Sequence, residues 1–181
     1  MNSHKLSIIV IKKCIVVLWL LFLLTACKKP RKDSDFNINM DLVLKQNDSI
    51  HTYYTTDGSI DFNETQSFWT KIKGSSNNQR VHIDFPDDIV PNQIRIDLGN
   101  NILQEVVVLN KLEFLYKSQS FTLKGKEIYR YMRVNESSTI LDKNLGLLQR
   151  KNKKIKAGPS LYPNGNYLRE KLEELTVFKI E

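Results

Sequence analysis

Acid–base or nucleophilic catalysis needs groups that converge on one point, and this sequence offers few of them. Its histidines are His4, His51 and His82, and its cysteines are Cys14 and Cys27. No His-x-x-x-His, Cys-x-x-Cys, Gly-x-Ser-x-Gly or phosphate-cradling glycine loop occurs. His82 is out of phase with the apolar Val81, Ile83 and Phe85, so it reads as a solvent-facing strand residue. Asp57, Asp61, Asn63 and Glu64 carry the oxygens that a hard cation such as calcium takes. They lack the alternating acid pattern of a calcium loop, however, and the same residue types bond the backbone in turns. Asp84 to Asp88 reads as a charged loop. The expectation is a protein without catalysis, resident metal or cofactor.

Binding chemistry is better represented. A flat aromatic side chain offers an apolar face to a pyranose ring, and Trp69, Tyr53 and Tyr54 are the candidates. Large aromatics are mostly buried, so the competing reading puts Trp69 in the core, and the sequence leaves both open. The run Arg150, Lys151, Lys153, Lys154 and Lys156 is the one concentrated charge outside the N-terminal region. Blocks of like charge repel and stay wet, which makes it a basic surface loop. Its functional alternative is contact with an anionic lipid or acidic polysaccharide.

The 181 residues carry 27 Lys and Arg against 20 Asp and Glu, a net charge of +7. That excess is local. Residues 1–26 hold Lys5, Lys12 and Lys13 and no acid, while residues 36–149 hold 12 basic and 14 acidic side chains. A nucleic-acid partner is not expected from a basic balance distributed in this way.

After Lys12 and Lys13 comes an uninterrupted apolar run from Cys14 to Leu24, then Thr25, Ala26 and Cys27. This is the order of a secretory signal's charged, apolar and cleavage regions, and the run is shorter than the ~18 residues that span a bilayer. Leu24-Thr25-Ala26-Cys27 resembles the lipobox of bacterial lipoproteins. The resemblance implies cleavage after Ala26, a diacylglyceryl thioether on Cys27 and an acylated new amino terminus, so that Cys27 anchors the protein in membrane lipid. Residues 27–35 then form a polar tether. By the same resemblance, Lys28 is not the Asp associated with inner-membrane retention, which favours the outer membrane, and Lys28-Lys29-Pro30 does not match the acid-rich stretch of some surface-exported lipoproteins, which favours facing the periplasm.

The domain expected over residues 36–181 is governed by period two. Phe36, Ile38, Met40, Leu42 and Leu44 alternate with mostly polar residues, and the pattern returns at 81–85, 94–98, 112–116 and 121–123. Turn residues separate the runs, notably at Asp57-Gly58, Gly74, Pro86 and Gly99. Residues 50–56 are β-prone with an aromatic on each face, and residues 137–149 read as a weak strand or long loop. Only 167–175 reads helical, with Asn166 as its N-cap and a closing strand over 176–180. This predicts an all-β antiparallel sandwich with one short C-terminal helix. Tyr53-Tyr54, Asp57-Gly58, Phe62-Asn63-Glu64, Gly74, Ile83-Asp84-Phe85-Pro86 and the stretch from Ile94 to Gly99 follow one another as in jelly-roll sandwiches. In particular, the order resembles that of carbohydrate-binding modules and galactose-binding-like domains. That resemblance implies a non-catalytic module for a carbohydrate or envelope polysaccharide. The alternative is an accessory role beside an envelope membrane protein.

The anchor is testable directly: Cys27→Ala should abolish palmitate labelling and leave unprocessed precursor, and a normally labelled mutant would refute the assignment.

Overall fold

The computed structural model describes residues 35–152, 154 and 156–177. Cys27 with its lipobox, the tether up to residue 34, Lys153 and residues 178–181 of the expected closing strand lie outside the described residues. The elements are β1 (Phe36–Leu44), β2 (Asp48–Thr55), β3 (Ser67–Ile72), β4 (Ser75–Asp84), β5 (Gln93–Leu98), β6 (Val106–Tyr116) and β7 (Gln119–Lys124). They continue with helix α1 (Ile128–Tyr131), β8 (Met132–Val134), β9 (Thr139–Asp142), β10 (Leu147–Arg150), β11 (Ser160–Pro163) and helix α2 (Tyr167–Thr176).

Alternation translates directly into burial. In β1 every second residue from Phe36 to Leu44 is fully buried, and Asn37, Asn39, Asp41 and Val43 face outward. Two antiparallel sheets result. Sheet A runs β4-β1-β6-β10-β9, with β7 sharing the edge of β6 beside β10, and sheet B runs β3-β2-β5-β11-β8. Their inner faces close on one core that includes Phe36, Ile38 and Phe114 from sheet A and Ile50, Ile96 and Leu161 from sheet B. The chain passes repeatedly between the sheets: β1 lies between β4 and β6 in sheet A, and β2 lies between β3 and β5 in sheet B, so the architecture is an all-β antiparallel sandwich.

Strand β6 is buried at Val107 and Leu109 and again at Leu112 and Phe114, a change of parity within one strand. Its register against β1 jumps from Leu109 to Lys111, so Asn110 is an extra residue that absorbs the change as a bulge.

Several elements extend or correct the sequence expectation. Residues 139–150, left open between a weak strand and a long loop, form the hairpin β9–β10, closed by Asp142 Oδ1 accepting from the amides of Asn144 (2.9 Å) and Leu145 (3.2 Å). With four residues per strand and only Thr139, Leu148 and Arg150 buried, the period had no length over which to show. Helix α1 was not expected, because one turn is shorter than any helical period; it buries Ile128, Tyr129 and Tyr131. Asn166 stands at the start of α2, but its side chain makes no capping bond, and its carbonyl accepts from the Glu170 amide instead. Thr176 belongs to α2, not to a closing strand.

Arg150 departs furthest from expectation. It is 3% exposed and points inward from the end of β10, not into a basic loop. Its guanidinium donates to the carbonyls of Lys156 (2.6 Å), Ala157 (2.8 Å) and Asn101 (3.1 Å). Burial lowers its pKa and the charge of Asp48 opposes that shift. Lys151, Lys154 and Lys156 are exposed. A buried cation tying two loops cannot be removed cheaply, since its hydrogen bonds are charge-assisted. Arg150→Met should therefore lower stability by about 2–3 kcal/mol. Lys151→Gln should stay within about 0.5 kcal/mol of wild type. Urea unfolding midpoints compare the two.

Candidate ligand-binding face

The outer face of sheet B is built by β2. Tyr54 points inward with Ile50 and Thr52, packing on Phe68 and Phe85, so it takes no part in a surface site. Tyr53 and His51 therefore point outward, yet they are only 6% and 4% exposed. The cover comes from their neighbours across the sheet.

Register fixes those neighbours. His51 stands between Trp69 on β3 and Asp97 on β5, and Tyr53 between Ser67 and Arg95. Arg95 in turn lies beside Tyr162 on β11, which is opposite Arg133 on β8. The planar groups form one stack. The Trp69 and His51 rings lie 3.9 Å apart at 20°, and His51 and Tyr53 lie 4.0 Å apart. The Arg95 guanidinium sits 4.5 Å from the Tyr53 ring and 4.6 Å from Tyr162, and Arg133 lies 5.3 Å from Tyr162. Six side chains thus cross five strands, a span of about 19 Å. Each cation–π contact of this kind contributes about 0.5–2 kcal/mol.

Polar groups hold the stack upright. Arg95 donates to both carboxylate oxygens of Asp97, at 2.9 and 2.6 Å. Burial works against the Arg95 charge, but the hydrogen bonds and charge of Asp97 more than offset it, and the guanidinium pKa is raised. The Tyr53 hydroxyl donates to Glu64 at 2.8 Å; burial first, then that bond, pushes the phenol pKa up. His51 Nε2 is 2.9 Å from Ser67 Oγ and 3.6 Å from Glu64. Burial lowers the His51 pKa, with Glu64 acting in the opposite sense.

The loop between β2 and β3 engages its oxygens internally. Asp57 Oδ1 accepts from the Ser59 amide, and Asn63 Oδ1 from the amides of Thr65 and Gln66. These are turn roles, and no cluster of three or more acidic, His or Cys ligands occurs among the described residues.

Both ends of the stack, Trp69 and Arg133, are exposed, and Trp69 is its accessible aromatic. The inward positions of β3 are Phe68, Thr70 and Ile72, so alternation turns Trp69 out, 51% exposed, and not into the core. His51 covers one face of the indole. Among the described residues β3 pairs with β2 alone, so none of their strands lies beyond the other face. Lys71 follows on the same side of β3. Beyond it lies a shallow depression of about 660 Å³ lined by Asn47, Asp48, Ser49, Lys71, Ile72, Lys73, Asn100 and Asn101.

The outer face of sheet A is different, because its polar groups satisfy one another. Arg80 makes a two-pronged pair with Asp41, whose pKa is lowered first by the Arg80 hydrogen bond. His82 is hydrogen-bonded by Nδ1 to Asn39 Oδ1 (2.7 Å) and by Nε2 to Asp84 (2.8 Å), and Asn39 donates onward to Glu113 (3.0 Å). His51 and His82 thus lie on outer faces of different sheets and do not converge. The basic run is likewise separate from Trp69 in the chain, with Arg150 turned inward and Lys153 outside the described residues.

Sequence reasoning singled out Trp69 and Tyr53 but missed His51, Arg95, Tyr162 and Arg133 as members of one array. Period two places Arg95 and Asp97 on a common face; only the pairing of distant strands shows what lies beside them.

No protein-family model, curated protein or solved structure matches the chain.

The lowered pKa of His51 has a stability consequence. The native state resists the proton that the unfolded chain accepts below about pH 6.5. Stability is therefore complete above that pH and falls as pH drops through the native pKa. Urea midpoints measured at pH 8 and pH 5 should fall more in wild type than in His51→Gln, and equal falls would show that His51 does not govern this loss.

Proposed function

We propose that this protein is a lipid-anchored lipoprotein of the cell envelope, held through Cys27 in the outer membrane and facing the periplasm. In this reading it binds carbohydrate or envelope polysaccharide and catalyses nothing. The observation that carries the reading is Trp69: an indole braced on one face by His51, open on the other, and half exposed at the edge of a sandwich sheet. A sugar ring stacking there buries apolar surface without first having to immobilise a mobile side chain, so less of the interaction is lost to ordering. The anchor rests on Leu24 to Cys27. Two or more acyl chains, at about 0.8 kcal/mol per buried methylene, hold a protein stably on a bilayer.

A second reading, accessory partner of an envelope membrane protein, is favoured by Leu103, Leu145 and Ile102, which are 68%, 64% and 51% exposed. A glycan array probed with wild type and Trp69→Ala distinguishes the two. Sugar binding that falls roughly tenfold or more in Trp69→Ala, the loss of about 1.4 kcal/mol, is the expected result. A silent array, with an envelope protein co-purifying from detergent extracts, would replace it with the second reading.

A further inference from the structure

We propose that the ligand of the Trp69 face is an acidic saccharide, with its anionic group held in the adjoining depression by Lys71 and Lys73. This deepens, and rests on, the sugar-binding reading of Trp69.

Geometry comes first. Trp69 and Lys71 are two residues apart on one face of β3, about 7 Å along the strand. Lys73 follows the end of β3 and lines the same depression. A ring stacked on the indole therefore has its neighbour, or its own substituent, within reach of both ammonium groups.

The hydrogen-bonding capacity of the depression then favours an anion. Its single acid is Asp48, whose Oδ1 accepts from the amides of Ser49 (2.8 Å), Asn100 (2.8 Å) and Asn101 (3.1 Å). Gly99 makes this possible: at φ +92° it turns the chain, and a Cβ there would collide with the Asp48 carboxylate. Asp48 is thus committed to holding the loop against β2. Asn47 Oδ1 is committed as well, accepting from the Gly74 amide at 2.8 Å, and Asn101 Oδ1 accepts from the Leu103 amide at 2.9 Å. Among the described residues, Lys71 and Lys73 form no ion pair. The groups left to face a ligand are the two ammonium groups and the Asn47 amide nitrogen, which only donate, and the Ser49 hydroxyl and Asn100 side-chain amide, which donate or accept, so the two cations set the preference for an anion.

The field along β3 also has a direction. Glu64, 77% exposed, lies on the Ser67 side of the stack, held by the Tyr53 hydroxyl. The lysines lie on the opposite side of Trp69. A charged sugar is thereby repelled at one end of the platform and attracted at the other, which fixes its orientation. Ammonium groups are compact point charges, not planar forks, so carboxylate, sulfate and phosphate are all chemically suited.

Affinity electrophoresis of the full chain in detergent tests this. The gels carry polygalacturonate, alginate, dextran sulfate or a phosphomannan, each beside a neutral counterpart: methyl-esterified polygalacturonate, dextran or mannan. Wild type should be retarded by at least one acidic polymer about 3- to 10-fold more strongly than by its neutral counterpart, as expected for two surface ion pairs. The polymer that retards identifies the anion. Lys71→Gln/Lys73→Gln should erase that preference and keep the neutral binding, whereas Trp69→Ala should lose both. Equal retardation by acidic and neutral forms overturns the acidic class and leaves sugar binding standing. Retardation by polyglutamate as strong as by the polysaccharide, unchanged in Trp69→Ala, overturns it in favour of charge alone. No retardation by any polymer overturns this inference together with the reading beneath it.

Discussion

The registration of β2 between β3 and β5 is the constraint on which both the core and the outer face of sheet B depend. Seven of its eight residues are buried: Ile50, Thr52 and Tyr54 on the inner face, His51 and Tyr53 on the outer, and Asp48 and Thr55 at the two ends. A slip of one residue would exchange these sets. Tyr54 would leave Phe68 and Phe85, and imidazole and phenol groups would enter an apolar interior where neither finds a partner. Each face thus enforces the register that the other requires. The ends of β2 are tied in the same sense: Asp48 binds the amides of the loop after β5, and the Thr55 hydroxyl donates to the Ser59 carbonyl at 2.6 Å.

Burying charge on the outer face is tolerable only because it is paired. The side chains of Arg95 and Asp97 are 22% and 15% exposed, and they meet through two hydrogen bonds inside a sleeve of Tyr53 and Tyr162. Removing either partner would leave the other desolvated, which costs more than the pair contributes. The same logic governs Arg150, whose three carbonyl acceptors replace the water lost on burial. Both cations order neighbouring chain: Arg95 organises rings across sheet B, and Arg150 joins the carbonyls of Lys156 and Ala157 to that of Asn101.

The architecture was legible wherever a single strand was long enough to display its period. Phe36 to Leu44 announces one buried and one wet face, and the turns at Gly58, Pro86 and Gly99 separate strands as their residue types require. Legibility failed in two physical situations. Short elements, such as α1 and the β9–β10 hairpin, carry too few buried residues for a period. Roles created by distant pairing were invisible too: Arg150 sits in a sequence of lysines, and nothing local distinguishes it from them. Only the loop carbonyls brought to it by the fold do so. The site divides similarly. Trp69 and Tyr53 were apparent as residue types, but Tyr54 belongs to the core, and the members that extend the stack behind Tyr53, namely Arg95, Tyr162 and Arg133, come from strands distant in the sequence.

The edge position of β3 reconciles two demands on Trp69. An unpaired edge invites another strand, and proteins commonly guard such edges with lysine and with short strands. Strand β3 has six residues, ends in Lys71 and Ile72 and is followed by Lys73. An interior position on sheet B would have covered the indole on both sides, as His51 and Tyr53 are covered. At the edge, one face stays free while the other gains the rigidity of the stack. In the proposed reading the lysines that discourage a neighbouring strand are the same groups that would attract an anion, so protection of the edge and recognition of a charged ligand would draw on the same residues.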